Sequence, residues 1–218
     1  MLTDHWPLLG LRLNTPRLEL RLPTEDELAE LADLAAEGVH ESDRMPFVVP
    51  WTDAPPADRA RSVVQHHWRG RGNWVPDDWS LGLAVFQEGR VIGLQDIAAK
   101  DFAVLRETTT GSWLGLRHHG RGFGTEMRAA VLELAFSGLG AEESTSAAFS
   151  DSHASRGVSR KLGYRADGCK RLVVRGEKVT EHRLRLSRED WRAHRRTAVS
   201  VTGLEPCLPL FGLPGARR

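Results

Sequence analysis

Residues 111–137 read GSWLGLRHHGRGFGTEMRAAVLELAFS. A short apolar run at 113–116 reads as a strand. Gly120-Arg121-Gly122-Phe123-Gly124-Thr125 follows, and then an amphipathic helix begins. Met127, Ala130, Val131 and Leu134 fall at i, i+3, i+4 and i+7, which predicts one apolar face. Strand, glycine loop, helix is an anion-binding construction. The first turn of a helix has free N–H groups and the positive end of the macrodipole. Glycines bring the backbone close to a ligand and reach φ > 0. A phosphate or pyrophosphate fits such a place. The loop is not a Walker A, because no Gly-Lys-Ser/Thr follows. Nor is it the dinucleotide fingerprint. Its glycines alternate, and no acidic residue ends a second strand about twenty residues on. From the residues alone, a glycine-rich turn without a ligand stays open.

Upstream, Arg17-Leu18-Glu19-Leu20-Arg21-Leu22 alternates and predicts a first strand. Residues 1–15 are expected to be irregular. Thr24-Glu25-Asp26-Glu27 is a capping box that opens a helix to about Glu37, with Leu28, Leu31 and Leu34 inward and Gly38 at its end. Residues 39–56 form a proline-broken loop with Met45, Phe47 and Trp51. It either caps the core or lines an acceptor pocket. A second helix is expected at 57–70. Its adjacent His66 and His67 point about 100° apart and cannot chelate one metal together. Strands at 79–87 and 91–99 are joined by the hairpin signal Glu88-Gly89-Arg90. A strand at 109–116 enters the glycine loop. Beyond it come a strand at 144–149, a helix at 152–162, a hairpin of 168–175 and 178–186, a short helix at 188–195 and a last strand near 198–202. The order predicts an α+β fold with a mixed, mostly antiparallel central sheet flanked by helices. So many hairpins exclude a purely parallel doubly wound sheet.

At 218 residues the chain reads as one domain, 1–218, with a C-terminal extension from about 198. A net charge of +1 argues for no nucleic-acid partner. Two cysteines, Cys169 and Cys207, are too few for a disulfide framework or a zinc site. The expectation is a reduced, cytoplasmic compartment and no metal. The opening MLTDHWPLLG lacks the basic and apolar regions of a signal peptide. No apolar run approaches membrane-spanning length, so no membrane partner is expected.

The loop resembles the pyrophosphate loop of the GNAT superfamily of acyl-CoA N-acyltransferases, Gln/Arg-x-x-Gly-x-Gly/Ala. His119 stands at the Gln/Arg position, and Gly122 and Gly124 at the small positions. Thr125-Glu126 is similar to the ribosomal-protein-alanine N-acetyltransferase branch. Residues 151–164, DSHASRGVSRKLGY, resemble the second GNAT signature: Asn-x-x-Ser/Ala, a helix, then Lys-Leu-Gly-Phe/Tyr. Ser155, Lys161, Leu162, Gly163 and Tyr164 match it. Two departures stand out. Ser152 holds the usual Asn position, and Ser159 stands where many relatives have a tyrosine that protonates the leaving thiolate. In the ribosomal-protein branch, a serine at the position of Ser155 takes that role. A helix-capping hydroxyl is its plainer reading. Further stretches, among them Arg44-Met45-Pro46-Phe47, Asp78-Trp79-Ser80-Leu81 and Lys100-Asp101-Phe102, look like an actinobacterial GNAT subgroup with a mycobacterial succinyltransferase.

The resemblance implies the GNAT fold and acetyl-CoA or succinyl-CoA as acyl donor. It implies direct attack of an amine, small-molecule or protein, on the thioester, with no metal. It assigns donor binding to Leu114, Leu116, His119, Gly120, Arg121, Gly122, Phe123, Gly124, Thr125 and Ser152, with a backbone N–H near Leu114 on the thioester carbonyl. His40, Arg44, Phe47 and Trp51 are the expected substrate residues. A buried succinyl carboxylate needs a cation, and Arg44 offers one, with His40 beside it. The amine must be deprotonated by a carboxylate, histidine or water. Asp101 is the leading candidate beside Ser155 as the catalytic pair; Asp96 and His182 are the others. Each has a plainer reading as a loop, cap or core group. A homo-oligomer is left open. A non-catalytic acyl-CoA-binding sensor or interaction protein is the alternative, fed by the missing tyrosine and the serine at 152.

Overall fold

Thr24 does what its capping box predicts. Its hydroxyl accepts from the Glu27 N–H, and the Glu27 carboxylate takes the Thr24 N–H at 2.8 Å. Such a cap contributes about 1 kcal/mol. The computed structural model describes residues 1–215. Along the chain it contains α1 (Leu2–His5), β1 (Arg12–Asn14), β2 (Glu19–Arg21), α2 (Glu25–Glu37) and α3 (Pro56–Gly72). Next come β3 (Asp78–Gln87), β4 (Arg90–Lys100), α4 (Phe102–Leu105), β5 (Glu107–Leu114) and α5 (Phe123–Glu133). The rest comprises β6 (Glu143–Phe149), α6 (His153–Lys161), β7 (Arg165–Val174), β8 (Glu177–Ser187), α7 (Arg188–His194) and β9 (Ser200–Thr202).

One nine-stranded sheet runs in the order β7-β8-β6-β5-β4-β3-β2-β1-β9. Every named pair is antiparallel except β5–β6. The architecture is α+β, as the element order predicts. Strand alternation sorts side chains onto two faces. Leu28 and Leu31 of α2 pack with Ala84, Phe86 and Leu94 on one face. Met127, Ala130 and Val131 of α5 pack on the other, with Leu83 and Ile97. Burying each such leucine fully is worth about 1.5–3 kcal/mol, so the sheet is held from both sides.

Three local differences have physical causes. Residues 1–15, expected to be irregular, contain β1, which pairs with both β2 and β9. A three-residue strand carries too little alternation to be seen. The strand expected near 198–202 is present as β9 at the sheet edge, and the extension beyond it packs onto the domain: Cys207 and Phe211 are buried, and Trp74 Nε1 donates to the Leu210 carbonyl at 2.8 Å. The helix expected to reach 137 widens into a π turn at Leu134–Gly138, which turns Leu134, Ala135 and Phe136 all inward. No helix of the described residues is long and apolar enough to cross a membrane.

Candidate functional site

β5 and β6 pair only at Glu107–Glu143, Thr108–Ser144 and Thr109–Thr145. β5 continues to pair with β4 as far as Leu114, and β6 with β8 as far as Phe149. The two strands therefore part after Thr109 and leave a V with two free edges. Backbone alternation fixes what the β5 edge presents. Gly115 N–H donates to the Ile92 carbonyl at 3.0 Å. Counting back in twos, Trp113 and Gly111 face β4, and the N–H and C=O groups of Ser112 and Leu114 face the V. His119 sits over this edge, its Nε2 3.1 Å from the Leu114 carbonyl oxygen.

The glycine loop stands at the mouth of the V. Gly120 and Gly122 have φ of +73° and +83°, which L side chains rarely adopt. Gly122 is the residue before α5, and no side chain caps that helix. Its first N–H groups are therefore open to an anion. Two guanidinium groups flank the loop, Arg17 at 4.7 Å and Arg121 at 4.9 Å from the centre of the Phe123 ring. Glu126, buried in the first turn, holds Arg17 there: it accepts from the Arg17 N–H at 3.0 Å and from Arg17 Nε at 2.7 Å. Nothing in the sequence pattern marks Arg17, because its role depends on the turn between β1 and β2 lying against α5.

On the same face of the sheet, α6 closes the V. Ser152 precedes the helix, but its side chain makes no cap. Ser155 is half-buried in the first turn, and its hydroxyl has no hydrogen-bond partner among the described residues, so it is not a cap either. One turn on, Ser159 is buried and accepts from Arg128 Nη1 at 3.0 Å.

The opposite face holds the other groups. Asp96 on β4 pairs with Gly111 on β5. Gly82 on β3 lies on its other side, where an added Cβ would fall 2.8 Å from Asp96 Oδ1. The missing side chain makes a recess, lined by His66, His67 and Arg71 of α3, Trp6 and Trp74. Asp96 keeps some surface open to it. The carboxyl still lies deep enough that burial alone pushes its pKa up to about 7. His67 is buried, and burial, then Arg71 and His66, push it down to about 4. It is neutral near pH 7. Among the described residues, no three His, Cys, Asp or Glu side chains converge as metal ligands would.

The 39–56 loop lies on this face too. Phe47 contacts Trp51 at 5.3 Å between ring centres, and Trp51 contacts Trp113 of β5 at 5.9 Å. His40 is occupied, with Nδ1 2.8 Å from the Glu41 carbonyl oxygen and Nε2 2.7 Å from Thr52 Oγ1. Arg44 is exposed, and its neighbour Met45 packs against Phe149 at the open end of β6.

Of the expected site residues, Leu114, His119, the loop glycines, Ser152 and Ser155 lie around the V, and Leu116 begins the turn that leads to the loop. Asp101 does not join them. It lies three residues past Ala98–Thr109, the last β4–β5 pair, at the end where β5 and β6 are still joined. There it is exposed, and its N–H bonds the Asp77 carbonyl. His182 is half-buried beside Ser150, 2.9 Å from its hydroxyl.

A family model described as an acetyltransferase (GNAT) domain matches residues 17–165. Solved structures share the fold. A GCN5-related N-acetyltransferase from Brucella melitensis is 19% identical, with a TM-score of 0.66 over 84% of this chain and 81% of its own. RimJ from Mycobacterium smegmatis, solved with CoA-disulfide, is 15% identical, with a TM-score of 0.63 over 88% of this chain and 97% of its own. RimL, a ribosomal L7/L12 alpha-N-protein acetyltransferase solved with coenzyme A, is 15% identical, with a TM-score of 0.60 over 79% and 95%.

Proposed function

The chain belongs to the GNAT acetyltransferase family, and from that premise we propose that it moves an acyl group from a CoA thioester to a primary amine by direct attack. The observation that carries this reading is the parting of β5 and β6 after Thr109, beside a glycine loop that opens α5. An extended pantetheine arm has amides that match the free N–H and C=O of Ser112 and the N–H of Leu114. The pyrophosphate takes the open N–H groups after Gly122, with Arg17 and Arg121 at its sides.

The two faces of β5 divide the labour. The thiol arrives on the α5–α6 face, where Ser155 stands. The amine arrives on the α2–α3 face, beside Phe47, Trp51 and Asp96. Asp96 takes the amine proton, and Asp101 is set aside because of its place at the closed end. The freed nitrogen attacks the thioester carbonyl. The N–H of Ser112 or Leu114 stabilises the oxyanion, and the bond to sulfur breaks. Release of CoA thiol with a panel of small amines and peptide N-termini tests the reading. No release with any amine, from protein that binds acyl-CoA, would leave a binding protein instead.

The loop assignment has its own test. An added Cβ at Gly124 would sit 3.5 Å from Val158 Cγ2 on α6, so alanine fits and valine presses on the helix. Gly124→Val is expected to weaken CoA binding at least about tenfold, or about 1.4 kcal/mol, with Gly124→Ala much milder. Titration calorimetry on folded protein reads this, and unchanged affinity in the valine variant sinks the loop assignment.

The donor is the finer question. We propose succinyl-CoA as a donor used at least as well as acetyl-CoA, with Arg44 holding the terminal carboxylate bidentately. Arg44 follows from the packing of Met45 against the open end of β6. Arg44→Ala is expected to lower kcat/KM for succinyl-CoA about tenfold, roughly one charge-assisted pair, and to spare acetyl-CoA. A tenfold preference of the wild type for acetyl-CoA ends the donor proposal. A succinyl preference that survives Arg44→Ala removes the residue only.

A further inference from the structure

Arg128 is a charged residue of this neighbourhood that the acyl-transfer reading has not used. It lies on α5, only 4% exposed; the two buried glutamates of that helix, Glu126 and Glu133, are taken by Arg17 and Arg195. A buried charge normally finds an opposite charge, because leaving it unpaired costs several kcal/mol. Arg128 has no carboxylate partner among the described residues. Its Nη1 donates to Ser159 Oγ at 3.0 Å and its Nη2 to Ser112 Oγ at 3.4 Å, and its Nε is buried with no partner at all. Its titratable neighbour is the Tyr164 phenol, which bridges Ser144 and Thr110. Gln95, opposite Ser112 in the sheet, likewise leaves its Oε1 unpaired.

Both serines that Arg128 touches belong to the V. Ser112 is three residues past the last β5–β6 pair, and its backbone faces the gap. Ser159 is on α6, one turn below Ser155 and on the same side of the helix. The guanidinium thus spans the floor of the V from the free strand edge to the helix, on the thiol side of β5. We infer that Arg128 is an anion receptor that stabilises the departing CoA thiolate, with Ser159 held in its fork.

This rests on the acyl-transfer reading and names where its negative charge goes. With the ammonium proton already on Asp96, the neutral nitrogen forms a bond to the thioester carbonyl carbon and loses its second proton to water, which restores the proton that Ser155 gives to sulfur. The carbon–sulfur bond breaks, and its electron pair stays on sulfur. The new thiolate lies against a permanent cation before it takes a proton from the Ser155 side. A fixed guanidinium in a dry site stabilises that charge without reorganising. The same arrangement accounts for an arginine kept in the sheet–helix interior without an ion pair: its counter-charge appears only during turnover.

The test is the ionisation of bound CoA itself. The thiolate absorbance of CoA in the binary complex is titrated against pH in wild type, Arg128→Met and Arg128→Lys. Met fills the space without charge, and Lys restores charge without the fork. In wild type the bound thiol is expected to ionise at least about one pH unit below free CoA, as beside any close opposite charge. The shift is lost in Arg128→Met and partly recovered in Arg128→Lys. Turnover follows: kcat of Arg128→Met falls about 10²-fold, with KM for acyl-CoA within about threefold. A merely structural arginine would leave the thiol where it is in all three proteins. If bound CoA in wild type ionises no lower than free CoA, the inference is overturned without need of any variant. If wild type does not bind CoA, the inference and the acyl-transfer reading fall together; if it binds with an unshifted thiol, only the inference falls.

Discussion

Asp96→Asn is expected to lower kcat/KM for the amine by about 10²- to 10⁴-fold, the usual worth of a positioned general base. The carboxylate sits one strand from the free edge of β5, on the face where Phe47, Trp51 and Trp113 gather. Its pKa of about 7 suits a base that must be free near neutrality yet still bind a proton. The wild-type kcat/KM should therefore rise with pH to a plateau above about 7. The basic groups that face it all come from α3: the cation Arg71, and His66 and His67, whose pKa values burial lowers. In Asp96→Asn the inflection near 7 should vanish, and some activity should return at high pH, where the amine loses its proton unaided. A variant with wild-type kcat/KM and the same inflection would remove Asp96 from the reaction.

The same substitution has an opposite effect on stability, and the sign separates the two roles. The folded-state pKa of Asp96 lies above the ordinary aspartate value because burial disfavours the anion. The folded protein thus holds the proton more tightly than the unfolded chain. That contribution is complete below about pH 4 and is lost as pH rises through about 7. Asparagine never ionises, so Asp96→Asn should melt a few degrees above wild type at pH 8. At pH 4 the two should melt together. An enzyme that becomes firmer as it becomes inactive shows a carboxylate kept for chemistry.

This carboxylate also shows where sequence reading reaches its limit. Alternation along 91–99 puts Leu94 and Asp96 on one face, and that is how β4 lies. Depth is another matter. Asp96 is recessed because Gly82 lies beside it on β3, and a glycine in a strand gives no hint of which neighbour it makes room for. Its position after the strand makes Asp101, not Asp96, the leading candidate in the sequence. Only the β5–β6 register shows that it lies at the joined end of the V. His40 was expected to be free for a substrate, and the fold of its own loop takes both ring nitrogens. By contrast, the strand–glycine loop–helix unit and the capped α2 were legible, because each depends on residues adjacent in the chain. Arg128 was invisible for a related reason. In Glu-Met-Arg-Ala-Ala a charged residue reads as solvent-facing, and it takes α6 and β5 closing around α5 to bury it. The groups that a single element specifies were readable; those that need two or three elements in register were not.

Ser155→Ala should lower kcat by about 10²-fold or more, with KM for the acyl donor within about threefold. The plainer reading, a helix cap, fails on geometry: the Ser155 hydroxyl bonds no backbone N–H, and α6 starts with no side-chain cap at all. What the hydroxyl has is a half-open place over the V and Ser159 one turn below. A proton donor acts when the carbon–sulfur bond breaks and not when the donor binds, so its loss belongs in kcat. The loss should depend on the leaving group. Ser155→Ala should be least impaired with a thioester whose thiol is more acidic than CoA, because such a thiol leaves without a proton. Thermal midpoints should stay within about a degree of wild type, since an uncapped, partly exposed hydroxyl supports nothing. An alanine variant that keeps wild-type kcat would take Ser155 out of the mechanism and leave the thiolate to water. A variant that loses kcat equally with every leaving group would mean that Ser155 positions the donor instead of protonating it.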